Sequence, residues 1–122
     1  MRQPLDALPY EQDPASKPIG ADTGDGLYVY VQDENGVVWV LADGPHLHPR
    51  VLGHARPAKY AGDLTVAQGK IKDVTNLSGM FGFSEEDGLR EVAEQLRKQG
   101  VDVDPGAVRF FPADGSPPMV LA

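Results

Sequence analysis

The chain has 122 residues, with 18 acids against 11 lysines and arginines, a net charge of −7, 41% apolar residues and no cysteine. That length suits one domain able to bury a core without staples. The lack of cysteine excludes disulfides, thiolate nucleophiles and thiolate zinc sites, and the acidic balance speaks against a broad footprint on nucleic-acid backbones.

Residues 1–26 hold Pro4, Pro9, Pro14 and Pro18 with scattered acids, then Gly20, Gly24 and Gly26. No strand or helix period runs through them, which predicts a flexible or irregular arm ahead of a single domain over 27–122. Residues 1–10 hold no apolar run of the signal-peptide kind, and no later stretch is long enough to span a bilayer. A cytoplasmic protein without membrane contact is the expectation.

Leu27–Gln32 and Val37–Leu41 are rich in β-branched and aromatic residues, and Asp33-Glu34-Asn35-Gly36 between them predicts a tight hairpin. Alternation places Leu27, Val29 and Val31 on one face and Tyr28 and Tyr30 on the other. Trp39 with the two tyrosines is expected to form an aromatic patch on this hairpin. The stretch 46–58 is broken by Pro49 and Pro57 and reads as an irregular loop. Ala61–Ala67 and Lys70–Thr75 flank Gln68-Gly69 as a second hairpin. Within it Ile71 and Val74 are three apart, so a bulge near Lys72-Asp73 is expected.

Ser84 opens a predicted helix with Glu85, Glu86 and Asp87 in its first turn and Arg97 and Lys98 in its last, as the helix dipole favours. Leu89, Val92, Ala93 and Leu96 make one apolar stripe, Gly88 is a local weakness, and Gly100 ends the helix. Val101 and Val103 then alternate, Ala107–Phe111 reads as a strand, and Met119–Leu121 as a short apolar end. The fold class that follows is α+β: a mainly antiparallel sheet of hairpins with one amphipathic helix packed on a face.

The charge is uneven. Residues 46–72 hold Arg50, Arg56, Lys59, Lys70 and Lys72 against Asp63 alone, inside an otherwise acidic chain. Arginine's planar fork suits a carboxylate or phosphate, so Arg50, Arg56 and Lys59, with the nearby His46 and His54, are candidate contacts to an anionic ligand. His46, His48 and His54 lie within nine positions, and a metal-binding reading needs a carboxylate partner that no recognisable motif supplies. No metal and no cofactor is therefore expected. Phosphate-cradling glycine loops and Gly-x-Ser-x-Gly elbows are absent from the sequence.

The order His48-Pro49-Arg50-Val51-Leu52-Gly53, Ala61-Gly62-Asp63-Leu64, Thr75-Asn76-Leu77-Ser78-Gly79, then a helix ending Gln99-Gly100-Val101-Asp102-Val103, resembles a loosely defined group of bacterial domains. Those domains occur alone or at the C-termini of large polymorphic toxin-type proteins, with a pattern of His-Ser-Ser, Ala-Gly-Glu and Asn-x-Ser-Gly-His-Tyr. Here Pro49 and Arg50 replace the serines, Asp63 the glutamate, and Met80 and Phe81 the His-Tyr pair. The resemblance implies a setting in bacterial conflict systems, and His48, Asp63, Asn76 and Ser78 as the polar set of any reaction.

Two functional expectations result. The first is a non-catalytic binding or accessory module, immunity-like, that recognises a protein partner (a basic one, from the net charge) or an anionic small molecule. The second is a small toxin-type enzyme acting on an anionic or nucleotide-like substrate through a His48-centred site.

Overall fold

Two hairpins lie at the centre of the sheet in a computed structural model that describes residues 16–42, 58–77, 86–112 and 114–121. The first joins β2 (Gly26–Gln32) to β3 (Val38–Ala42), with Tyr30 opposite Val40 and Gln32 opposite Val38. Asp33 organises its turn. One carboxylate oxygen accepts the backbone N–H groups of Asn35 (2.9 Å) and Val37 (3.0 Å), and the other accepts the Trp39 indole N–H (2.9 Å). The second hairpin joins β4 (Tyr60–Ala67) to β5 (Lys70–Thr75) through Gln68 and Gly69, both with positive φ, as a type I′ turn requires. Thr65 faces Asp73 but Val66 faces Ile71, so Lys72 is the extra residue of a bulge.

β2 and β4 pair antiparallel along their length and unite the hairpins. A helix, α1 (Glu86–Lys98), follows β5 in the chain order and returns it to β6 (Asp102–Val103) and β7 (Val108–Phe110), which both run parallel to β5. The interruption between β6 and β7 is a turn at Asp104-Pro105-Gly106-Ala107, closed by the Ala107 N–H donating to the Asp104 carbonyl. β8 (Met119–Val120) adds antiparallel to β7. Residues from the stretch expected as an arm also join the sheet. β1 (Lys17–Pro18) pairs with β3, and Ile19 is buried beside it. The architecture is α+β, a mainly antiparallel sheet with an amphipathic helix against one face.

Register and alternation assign the faces. Tyr30, Gln32, Val38, Val40, Tyr60, Leu64, Val66, Ile71 and Val74 share the helix side, where the buried stripe Leu89, Val92, Ala93 and Leu96 meets them. Val29, Val31, Leu41 and Ala61 point the other way and are buried too, so the centre of the sheet is covered on both faces. Trp39 pairs with Val31 and therefore lies on the face opposite Tyr28 and Tyr30. The expected three-ring patch does not form, because strand alternation separates its members.

Gly88 has a packing reason that helix propensity hides. A β-carbon there would collide with the Tyr60 ring, so glycine lets the first turns of α1 lie flat on β4. The last turn ends in a paired cap: Val101 N–H donates to the Leu96 carbonyl and Gly100 N–H to that of Arg97, with Gly100 at φ +90°. Propensity alone would make Gly88→Ala stabilising by about 1 kcal/mol. Overpacking against Tyr60 reverses the sign, and the substitution is expected to destabilise by about 1–3 kcal/mol in urea unfolding.

Candidate functional site

The expected site residues fall into separate places. Lys59 is exposed at the start of β4, its N–H donating to the Gln32 carbonyl (2.9 Å). Lys70 and Lys72 stand on β5 beside the other end of that strand, roughly 25 Å away at the rise of an extended chain. There Lys72 binds the Asp104 carboxylate at 2.6 Å and Lys70 approaches it at 4.0 Å. The hydrogen bond from Lys72 holds the Asp104 carboxyl below its ordinary range. The described lysines of the basic segment thus do not concentrate at one spot. His46, His48, Arg50, His54, Arg56 and Ser78, and the Ser84 cap, lie outside the described residues.

The backbone segments that carry Asp63 and Asn76 meet at Thr75, while the Asn76 side chain is directed to Phe111. The Thr75 hydroxyl accepts the Asp63 N–H (3.3 Å) and the Leu77 N–H (3.1 Å), so β4 and the chain leaving β5 meet at one residue. Asn76 is buried, and its amide reads the backbone of Phe111 at both ends. Nδ2 donates to the Phe111 carbonyl (3.0 Å) and Oδ1 accepts the Phe111 N–H (2.7 Å). This is a strand-like pair made by a side chain, and it holds the exit of β5 to the end of β7. Asp73 and Arg109 brace the same strands with two parallel bonds of 2.6 and 2.7 Å, and the guanidinium lies 5.3 Å from the Phe111 ring centre.

Beneath this junction the sheet is unusually tight. A β-carbon at Gly62 would collide with the Thr75 carbonyl oxygen, and the Tyr30 hydroxyl, fully buried, donates to that same oxygen at 2.6 Å. Burial first, then the neighbouring Tyr60 and Asp63, raises the Tyr30 phenol well above the usual tyrosine range. Tyr30 and Gly62 were not singled out for a site from the sequence. The available signal was a glycine inside a strand, which marks close backbone approach.

A groove of about 470 Å³ opens beside the start of β4, between α1 and the β2–β3 turn. Its sheet-side wall is Gln32, Asn35, Gly36 and Lys59; its helix-side wall is Arg90, Glu91, Glu94, Gln95 and Lys98. Gln99 fixes the relative position of these walls. Its amide donates to the carbonyls of Ile19 (2.8 Å) and Val38 (3.2 Å), while its oxygen accepts the N–H groups of Val38 (2.8 Å) and of the Gln95 side chain (3.0 Å). The end of α1 is thereby tied to β1 and β3. Among the described residues no cluster of three or more His, Asp or Glu could hold a metal, and no helix is long and apolar enough to cross a membrane.

No family model matches the chain, and neither a curated protein nor a solved structure does. The groove and the junction are therefore read on their own chemistry.

Two measurements check the junction. Asn76→Ala leaves the Phe111 N–H and carbonyl without partners and is expected to cost about 2 kcal/mol in urea unfolding. The Tyr30 phenol is held neutral in the fold while the unfolded chain ionises near pH 10, so its contribution is complete below that pH and is lost as pH rises above it. Tyr30→Phe is expected to remove about 1 kcal/mol of the stability lost between pH 10 and 11.

Proposed function

We propose that this chain is a non-catalytic binding module that holds a protein partner in the groove between α1 and the β2–β3 turn. The observation that carries the reading is the make-up of that groove. Lys59, Arg90 and Lys98 alternate there with Glu91 and Glu94, and the Gln32, Asn35 and Gln95 amides lie between. A small anion is favoured where cations converge, whereas a polypeptide presents backbone amides and charges of both signs. The walls are preorganised by Gln99 and by the Asp33 turn, which lowers the ordering cost of binding. An accessory, immunity-like role in a bacterial toxin or effector system is the setting that the sequence resemblance supports.

The test is capture from a lysate of the source organism by the wild-type chain and by the variant Lys59→Glu with Glu91→Lys, both checked for folding. A partner held by the wild type and weakened about tenfold or more by the variant is the expected result. Equal capture by both would place recognition elsewhere and sink the reading.

A catalytic reading centred on His48, with an anionic or nucleotide-like substrate, has one observation in its favour: Thr75 draws the Asp63 and Asn76 segments together. Bacterial growth with the wild type and with His48→Ala expressed decides it. Slower growth with the wild type alone supports an enzyme, and equal growth removes that alternative.

A further inference from the structure

We infer that the groove takes an extended acidic segment of a polypeptide, its carboxylates seated at Lys59 and Lys98. This deepens the binding-module reading and rests on it. The charged residues of the groove are not equivalent. Arg90 is engaged by Glu86 (3.6 Å) and Asp87 (3.2 Å), and Glu94 by Arg97 (3.2 Å), all within the helix. Lys59 and Lys98 take part in no ion pair among the described residues, against the single unpaired carboxylate of Glu91 on these walls. Two ammonium groups on one groove are thus left to an incoming partner.

Shape narrows the partner further. The helix-side wall runs from Arg90 to Lys98, about 12 Å at the rise of an α-helix. That is room for about four residues of extended chain. Glu91 and Glu94 stand between the cations of that wall and oppose a densely charged polyphosphate or nucleic acid. Carboxylates spaced along a peptide avoid them, and the peptide's neutral amides can lie against Asn35, Gln95 and Glu91. The groove walls hold one more cation than anions in a chain of net charge −7, so this is a place where an acidic segment is locally favoured.

The experiment titrates the full ¹⁵N-labelled chain with three capped tetrapeptides: tetraglutamate, tetraglutamine and tetralysine. Saturable shifts at Asn35, Gly36, Lys59, Gln95 and Lys98 are expected with tetraglutamate alone, weakening as salt is raised. The double variant Lys59→Gln, Lys98→Gln keeps the side-chain bulk and removes both charges. It is expected to bind tetraglutamate about fivefold more weakly, the effect of two exposed charge contacts. Equal binding of tetraglutamine, or preference for tetralysine, would overturn the acidic preference while leaving the groove as a binding site. Absence of saturable shifts with all three peptides would overturn the inference, and the lysate capture judges the broader reading separately.

Discussion

The Tyr30 hydroxyl donating to the Thr75 carbonyl is the contact on which the arrangement of this sheet depends. It joins residues 45 positions apart, from the interior strand β2 to the point where β5 ends. The bond can form only because Gly62 offers no side chain where the Thr75 oxygen sits. With the phenol fully buried, a lost bond would strand a carbonyl in an apolar interior, which costs more than a typical hydrogen bond adds. Thr75 then passes the constraint on: its hydroxyl holds Asp63 and Leu77, and the next residue, Asn76, binds the end of β7. One buried phenol therefore fixes where two loops leave the fold.

The helix is secured in a different manner at each end. At its start, the missing β-carbon of Gly88 lets the Tyr60 ring lie against the backbone. At its finish, Gln99 acts as a short piece of strand: beside the direct bond from the Ile19 N–H to the Val38 carbonyl, its amide satisfies the Ile19 carbonyl and the Val38 N–H. Between these ends the apolar stripe is sealed against the sheet, and the polar flank is free to form the groove. The stability of the domain and the geometry of its proposed binding surface thus share residues, with Gln95 serving both.

Much of the fold was legible in the sequence, because its signals are local. Asn35-Gly36 and Gln68-Gly69 mark the hairpins, the uneven spacing of Ile71 and Val74 marks the bulge, and the 3.6-residue stripe marks α1. The parallel return of β6 and β7 beside β5 was not legible, since pairing between distant short strands leaves no periodic trace. Lys17–Pro18 looked irregular because a two-residue edge strand has no alternation to display. The site was harder to read. Asn76 stood out as a polar residue in a turn, yet its amide is spent on Phe111, 35 positions away. The cluster of cations adjacent in sequence is divided because an eight-residue strand separates Lys59 from Lys70. Gln99 gave no sign at all, as a glutamine before a C-terminal glycine is ordinary helix chemistry.

The shortness of β1 has a consequence for how these molecules behave in a crowd. A sheet whose margin is a long row of open amides invites a neighbour's backbone and can propagate into fibrils. Here the margin beside Trp39 and Val40 is closed by two residues, one of them a proline that has no amide proton to offer. The lysine next to it adds a positive charge at the rim, which a second copy would bring against its own. Among the described residues this margin is thus a blunt one that discourages stacking.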